Sequence, residues 1–374
     1  MGLNEKFFKS ASDTPFAPSD NFNTVLYTGT GSTNPITTVG FPPDFTWVKS
    51  INNSRSHALV DSVRGGNGSA MQILDSATTA SQFLGTNFFN SLDSAGFTVS
   101  GNNTYTNNGD FVAWNWKAGG APTATNSAGA GNQPTADSVM IDGVSSTTAL
   151  DGTLPAISIS ANTAAGFSIV TNKTSDSEHT VAHGLNAAPE LILSKPVSNG
   201  VYQWNCWANG FSEYQGIELS TSNQRYTNGG FRTVYSTSTT TMGFGLQFLS
   251  ATNYGANTDI VNYCFHSVSG YQKIGSYTGG GASNVTVNLG FSPRFVIIKR
   301  ATGGSGNWTM YDNVRQTGSV PYDNYTILLA DDAFKEQADN TIRGIQFTST
   351  GIVLNKNYSL TNTSGSIYIY LAIA

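Results

Sequence analysis

The chain reads as an all-β protein of three tandem antiparallel β-sandwich repeats, jelly-roll or lectin-like in kind. Three observations predict this. An eleven-residue pattern occurs three times with a proline at the same place, each copy is followed by short apolar runs in the same order, and helix-forming segments are scarce. Forty glycines and only 11% charged residues, with abundant Ser, Thr and Asn, suit short strands joined by tight turns.

The pattern is Val39-Gly40-Phe41-Pro42-Pro43-Asp44-Phe45-Thr46-Trp47-Val48-Lys49. It returns as Leu185-Asn186-Ala187-Ala188-Pro189-Glu190-Leu191-Ile192-Leu193-Ser194-Lys195 and as Leu289-Gly290-Phe291-Ser292-Pro293-Arg294-Phe295-Val296-Ile297-Ile298-Lys299. In each copy a proline ends a turn and an alternating strand runs to a lysine. Alternation places Phe45 with Trp47, Leu191 with Leu193 and Phe295 with Ile297 on one face, where they are expected to contribute to the domain cores. Self-similarity at this period means an array of whole domains.

The likeness extends in both directions. Tyr27-Thr28-Gly29, Lys173-Thr174-Ser175 and Tyr277-Thr278-Gly279 precede the three prolines by the same distance. After the lysines come runs beginning at His57, Trp204 and Trp308. Each unit then closes with two strands, the first around Phe97, Phe244 or Ile352 and the second around Val112, Val261 or Ile369. In this alignment Trp114 answers to Tyr263 and Tyr370, and Cys206 to Leu59 and Met310.

The three lysines stand 146 and 104 residues apart, so 42 extra residues lie between the first two copies. Residues 118–164 supply them: this stretch is crowded with small residues and its only charges are Asp137, Asp142 and Asp151. It is expected to be extended or loosely wrapped chain. The organisation predicted is an N-terminal segment 1–21, repeat one at 22–118, a connector at 119–163, repeat two at 164–269 and repeat three at 270–374. Repeats two and three abut through Ser267-Val268-Ser269-Gly270. The one plausible helical turn is at residues 331–340.

A net charge of −5 with no run of Lys or Arg argues against nucleic acid, whose phosphates need a basic stripe. No apolar run approaches the ~20 residues of a bilayer span, so membrane insertion is not expected. The opening Met1-Gly2-Leu3-Asn4-Glu5-Lys6-Phe7-Phe8-Lys9 lacks the form of a signal peptide, which points to a protein made and kept in a cytoplasm.

The block His183-Gly184-Leu185-Asn186-Ala187-Ala188-Pro189, the junction Gly270-Tyr271-Gln272-Lys273-Ile274-Gly275-Ser276-Tyr277-Thr278-Gly279 and the run Asp110-Phe111-Val112-Ala113-Trp114-Asn115-Trp116-Lys117 resemble the repeat domains of structural proteins of tailed phages, common in phages of marine bacteria. The resemblance covers nearly the whole chain from Phe22 onward. It implies a virion component assembled in the host cytoplasm, with a tail fibre or adhesin as the leading role. A head decoration or capsid fibre of purely architectural role is the alternative, and a glycan-degrading spike the third. Attachment to other virion proteins is expected through Phe7, Phe8 and Phe16, held extended by Pro15 and Pro18. A homo-oligomer, trimeric by preference, is expected because the strand around Ile369 is apolar on both faces.

No catalytic residues, cofactor or metal site are assigned. His179 and His183 sit four apart, but in a strand that spacing separates them by about 13 Å. Cys206 reads as small core filler, and a disulfide to Cys264 would require their strands to be neighbours in a compartment that keeps thiols reduced. Asp61 with Arg64 and Asp312 with Arg315 could serve paired-carboxylate chemistry, yet repeat two has Ala208 and Phe211 there, which favours a turn-capping Asp and an Arg paired to a neighbouring loop. Tyr202 and Trp207 are the candidate contacts for a host surface glycan or a partner, as an aromatic pair expected on an open sheet face.

Overall fold

The computed structural model describes residues 16–126, 132–198, 200–212, 215–227, 234–245, 257–315, 326–338 and 344–374. Each lysine-ending strand lies antiparallel to the closing strand of its own repeat, in the same register three times: Phe45 faces Trp116, Leu191 faces Phe265 and Phe295 faces Ile373. On the far side of the closing strand lies the opening strand, so the spatial order begins Phe22–Thr28, Asp110–Trp116, Phe45–Ser50, Ala58–Asp61. The same order runs Phe167–Lys173, Asp259–Phe265, Leu191–Pro196, Asn205–Ala208 and, in the third copy, Gln272–Thr278, Ile367–Ile373, Phe295–Arg300, Thr309–Asp312. All these pairings are antiparallel. Among the described residues the one α-helical turn is Ser359–Asn362, whereas Asp331 to Glu336, where a helical turn was expected, is irregular.

A small three-stranded sheet accompanies each large one: Asn34–Ile36, Gly96–Val99 and Phe89–Asp93; then His179–Ala182, Thr241–Phe244 and Val234–Thr237; then Val285–Asn288, Gly351–Leu354 and Ile345–Thr348. Apolar side chains fill the space between the two sheets. In the first unit Val25, Val48, Val60, Phe111 and Ala113 of the large sheet pack with Ile36, Phe89, Phe97 and Val99 of the small one. In the third, Val296, Ile298, Tyr311, Tyr368 and Tyr370 pack with Val287, Ile345, Ile352 and Leu354. The architecture is all-β sandwich, as expected.

The pair positions Phe45/Trp47, Leu191/Leu193 and Phe295/Ile297 are not in those interiors. They occupy the opposite face of each large sheet, and all six belong to one continuous apolar cluster fed by all three units. A period-2 strand fixes which residues share a face but not which face meets what. Phe45 approaches Tyr263 at a ring distance of 4.5 Å, and Phe295 stands 5.5 Å from Trp114 and 5.8 Å from Phe22. The three sandwiches therefore meet on their outer faces. The closing strand Ile367–Ile373 is covered on both sides within the chain, by its own small sheet at Tyr368 and Tyr370 and by the shared cluster at Ile369, Leu371 and Ile373.

Two expectations need correction. Register pairs Tyr263 with Leu193, Trp114 with Trp47 and Leu371 with Ile297, so Trp114 answers to Tyr263 and Leu371, one residue away from Tyr370. A slip of one residue changes the sheet face. The connector is also not loose throughout: Ser158–Asn162 pairs antiparallel with Phe167–Lys173, Val139–Ile141 joins it in parallel and Val144–Ser145 closes the edge, extending the second large sheet to nine strands. Gly119 lies where a Cβ would meet Met140 O at 2.3 Å and Ala161 O at 2.6 Å, so only glycine lets the chain pass so close to these strands.

Candidate functional site

The chain's most organised polar chemistry lies in the seams between the three units, and it is cyclic. Lys49 Nζ donates to Ala333 O of repeat three at 3.2 Å, Lys195 Nζ to Thr79 O of repeat one at 2.8 Å, and Lys299 Nζ to Thr221 O of repeat two at 2.9 Å. Each ammonium also binds a carbonyl of its own repeat: Arg55 O, Tyr202 O or Gly306 O. All three side chains are buried. Buried cations persist only when their donors are satisfied, and here each lysine joins two loops that belong to different units.

The residue opening the neighbouring strand repeats this sense. His57 Nε2 bonds Leu329 O at 2.9 Å, Trp204 Nε1 donates to Asp75 O at 2.8 Å, and Trp308 Nε1 to Glu218 O at 2.8 Å. Trp47 Nε1 donates to His57 Nδ1 at 2.8 Å, so the network assigns the imidazole hydrogen to Nε2, which then donates to Leu329 O. A third set comes from main chain: Glu336 N to Ile51 O, Gln82 N to Val197 O and Arg225 N to Ala301 O, the acceptor being in each case two residues after the lysine. Repeat one thus reaches repeat three, two reaches one, and three reaches two. The units form a closed, pseudo-threefold ring.

Side chains at the last set of equivalent positions differ. Tyr263 donates to Asp61 Oδ2 at 2.6 Å, and Trp114 Nε1 to Asp312 Oδ2 at 3.1 Å. The third seam offers Leu371 and Ala208 instead, in an apolar contact that includes Trp308 and Ile369. Arg64 and Arg315 pair with Asp61 and Asp312 at 2.5 and 2.7 Å, fully buried. Arg315 also meets Glu336 at 2.8 Å, whereas in repeat two Arg225 lies over the ring of Phe211. The Asp–Arg signature, read as structural, holds turns and seams: Asp61 Oδ1 accepts from the backbone of Val63 and Arg64, and Asp312 Oδ1 from Val314 and Arg315.

Electrostatics follow burial. It pushes the lysine ammonium groups of Lys49, Lys195 and Lys299 down to about 8, against the pull of nearby carboxylates such as Asp75 and Asp331. It pushes His57 down to about 3, helped by the Lys49 charge. Tyr263 is raised well above its ordinary range by the same desolvation.

The residues singled out from sequence are scattered. Phe7 and Phe8 lie outside the described residues. Phe16, 40% exposed, rests edge-on against Tyr271 at 4.9 Å. Trp207 is not on an open sheet face: it is 7% exposed and shares a face with Ile192, the position filled by Val60 and Tyr311 in the other sandwich interiors. Tyr202 is half-buried against the shared cluster and gives its carbonyl to Lys195. Cys206 and Cys264 are free, and their register partners Leu193 and Ile192 place them on opposite sheet faces. His179 stacks on Phe244 while His183 binds Ser238 O and Leu185 N. The seam role of the lysines is not a property of any one strand; a lysine recurring at the end of an otherwise apolar strand is the signal the sequence carries for it.

A protein-family model described only as a domain of unknown function (DUF7483) matches residues 17–140 and 140–374. No curated protein and no solved structure matches the chain.

Proposed function

The chain belongs to the DUF7483 family, whose description assigns no role, and from this premise we propose that it is a non-enzymatic structural component of a tailed-phage particle, acting as a tail fibre or adhesin. The observation that carries the reading is the ring itself. Buried ionisable groups of the seams, Lys49, Lys195, Lys299, Asp61 and Asp312, are spent on holding three sandwiches together. A rigid ring displays loops around its rim, which suits display toward a surface. The resemblance to phage structural repeats points the same way, and the N-terminal segment 1–21 is the proposed tether to other virion proteins.

The pseudo-threefold arrangement also alters the oligomer expectation. The strand around Ile369 needed cover on both faces, and its own chain supplies it, so one chain takes the part that a trimer would have played. This favours a second reading, an architectural protein seated on a three-fold position of a head. Excess purified chain tests the first reading: an adhesin blocks attachment of particles to the host. No competition, with antibody label found only on heads, would replace it with the second. Deleting residues 2–19 should abolish incorporation into particles in either case.

A further inference from the structure

A cleft of about 560 Å³ opens where repeats one and three meet. Its walls are Arg55, Asn102, Thr104, Phe88 and Tyr105 from repeat one and Ala333 from repeat three. Lys49 holds both walls, since its buried ammonium donates to Arg55 O at 2.6 Å and to Ala333 O at 3.2 Å. Tyr105 is fixed by its hydroxyl to His57 O at 3.0 Å, and Lys335 N reaches Ser54 Oγ across the seam at 3.3 Å. The cleft is therefore built by the ring closure rather than left over between loops.

Its chemistry is of one kind. Phe88 and Tyr105 stand edge-to-face at 5.8 Å, and Phe83, 38% exposed, packs edge-on to both at 6.3 and 6.5 Å. Aromatic surface beside amides and hydroxyls suits the apolar C–H face and the hydroxyl rim of a sugar ring. Arg55 is the one charged side chain among the lining residues. Its Nε donates to Thr104 Oγ1 at 2.6 Å, and its Nη nitrogens have no partner among the described residues. A guanidinium anchored through Nε presents a fork matched to a carboxylate.

We propose that this cleft binds a carboxylate-bearing saccharide, a uronic-acid unit of a surface polysaccharide, with Arg55 on the carboxylate, Asn102 and Thr104 on hydroxyls and the Phe88 and Tyr105 rings, backed by Phe83, against the sugar face. The inference rests on the adhesin reading and names the ligand class for it.

Titration calorimetry of the full chain with a uronate hexasaccharide and a neutral hexose hexasaccharide tests it. The acidic sugar should bind at least tenfold tighter than the neutral one. Arg55→Gln should remove that preference, and Asn102→Ala, at an exposed lining position, should weaken both sugars several-fold, with thermal unfolding unchanged in each variant. No binding of the acidic sugar, equal binding of the two, or wild-type affinity in both variants would overturn the proposal. If the Arg55→Gln chain still blocks particle attachment as well as wild type, the cleft fails while the adhesin reading stands. Uronate binding by a chain that blocks no attachment keeps the cleft and removes that reading.

Discussion

Tyr263 of the second repeat donates its hydroxyl hydrogen to Asp61 of the first at 2.6 Å, inside a seam where neither group reaches water. Trp114 and Asp312 occupy the equivalent places one seam further round. At the remaining seam both partners are apolar, Leu371 and Ala208. Two polar solutions and one apolar solution thus fill one geometric role.

Removing one polar partner should cost more than the bond is worth, because the other stays buried. Tyr263→Phe is expected to lower stability by about 1 to 3 kcal/mol in urea unfolding. Ala208→Asp places a carboxylate in the apolar seam without its Arg, and about 3 to 5 kcal/mol of destabilisation is expected. Equal, small effects from both changes would mean that these seams are wetter than the structure has them.

The lysines predict a rise of stability in alkali. Burial sets each near 8 in the folded chain, against about 10.5 unfolded. Below pH 8 both states carry the proton; between 8 and 10.5 the unfolded state binds more, so unfolding becomes harder as pH rises. The span is on the order of 3 kcal/mol for each lysine. Comparing urea midpoints at pH 8 and pH 10, wild type should gain over Lys195→Met. Parallel pH profiles for the two proteins would show Lys195 titrating alike in both states.

His57 gives the opposite edge of the profile. With the folded imidazole near 3 and the unfolded one near 6.5, its contribution is complete above pH 6.5 and is lost as pH falls toward 3. The loss is on the order of 5 kcal/mol. His57→Gln should flatten the acid limb by about one bound proton, read from the pH dependence of the denaturant midpoint. An unchanged slope would place that proton elsewhere.

Cys206 and Cys264 are buried, and desolvation raises both thiols, Cys264 to about 12. Neither should react with maleimide in the folded protein at pH 7, and both should react in denaturant. Rapid labelling of native chain would expose a seam or a sandwich that opens.

Strand positions and the lysine-ending strands were legible because period-2 alternation and tight turns are local properties, whereas the register of the third closing strand was not, since Leu371 rather than Tyr370 answers to Trp114. The partner of each face was not. Trp47, Leu193 and Ile297 are as apolar as Val48, Ile192 and Ile298 on the other side, so nothing local separates a sandwich interior from a seam. Trp207 illustrates this, since an aromatic expected outside fills the interior of repeat two. Arg55, Phe88 and Tyr105 went unseen because they lie outside the repeated strands, and only the approach of Ala333 from another repeat turns them into a cleft.

Small-angle X-ray scattering of the full chain tests the closed ring most directly. Three units joined through a common core should behave as one compact body of a single chain, with a radius of gyration of about 21 Å by the scaling of folded domains. Three sandwiches strung in a line, each with a radius of gyration of about 13 Å, would instead give about 30 Å and an elongated distance distribution, and that result would contradict the ring.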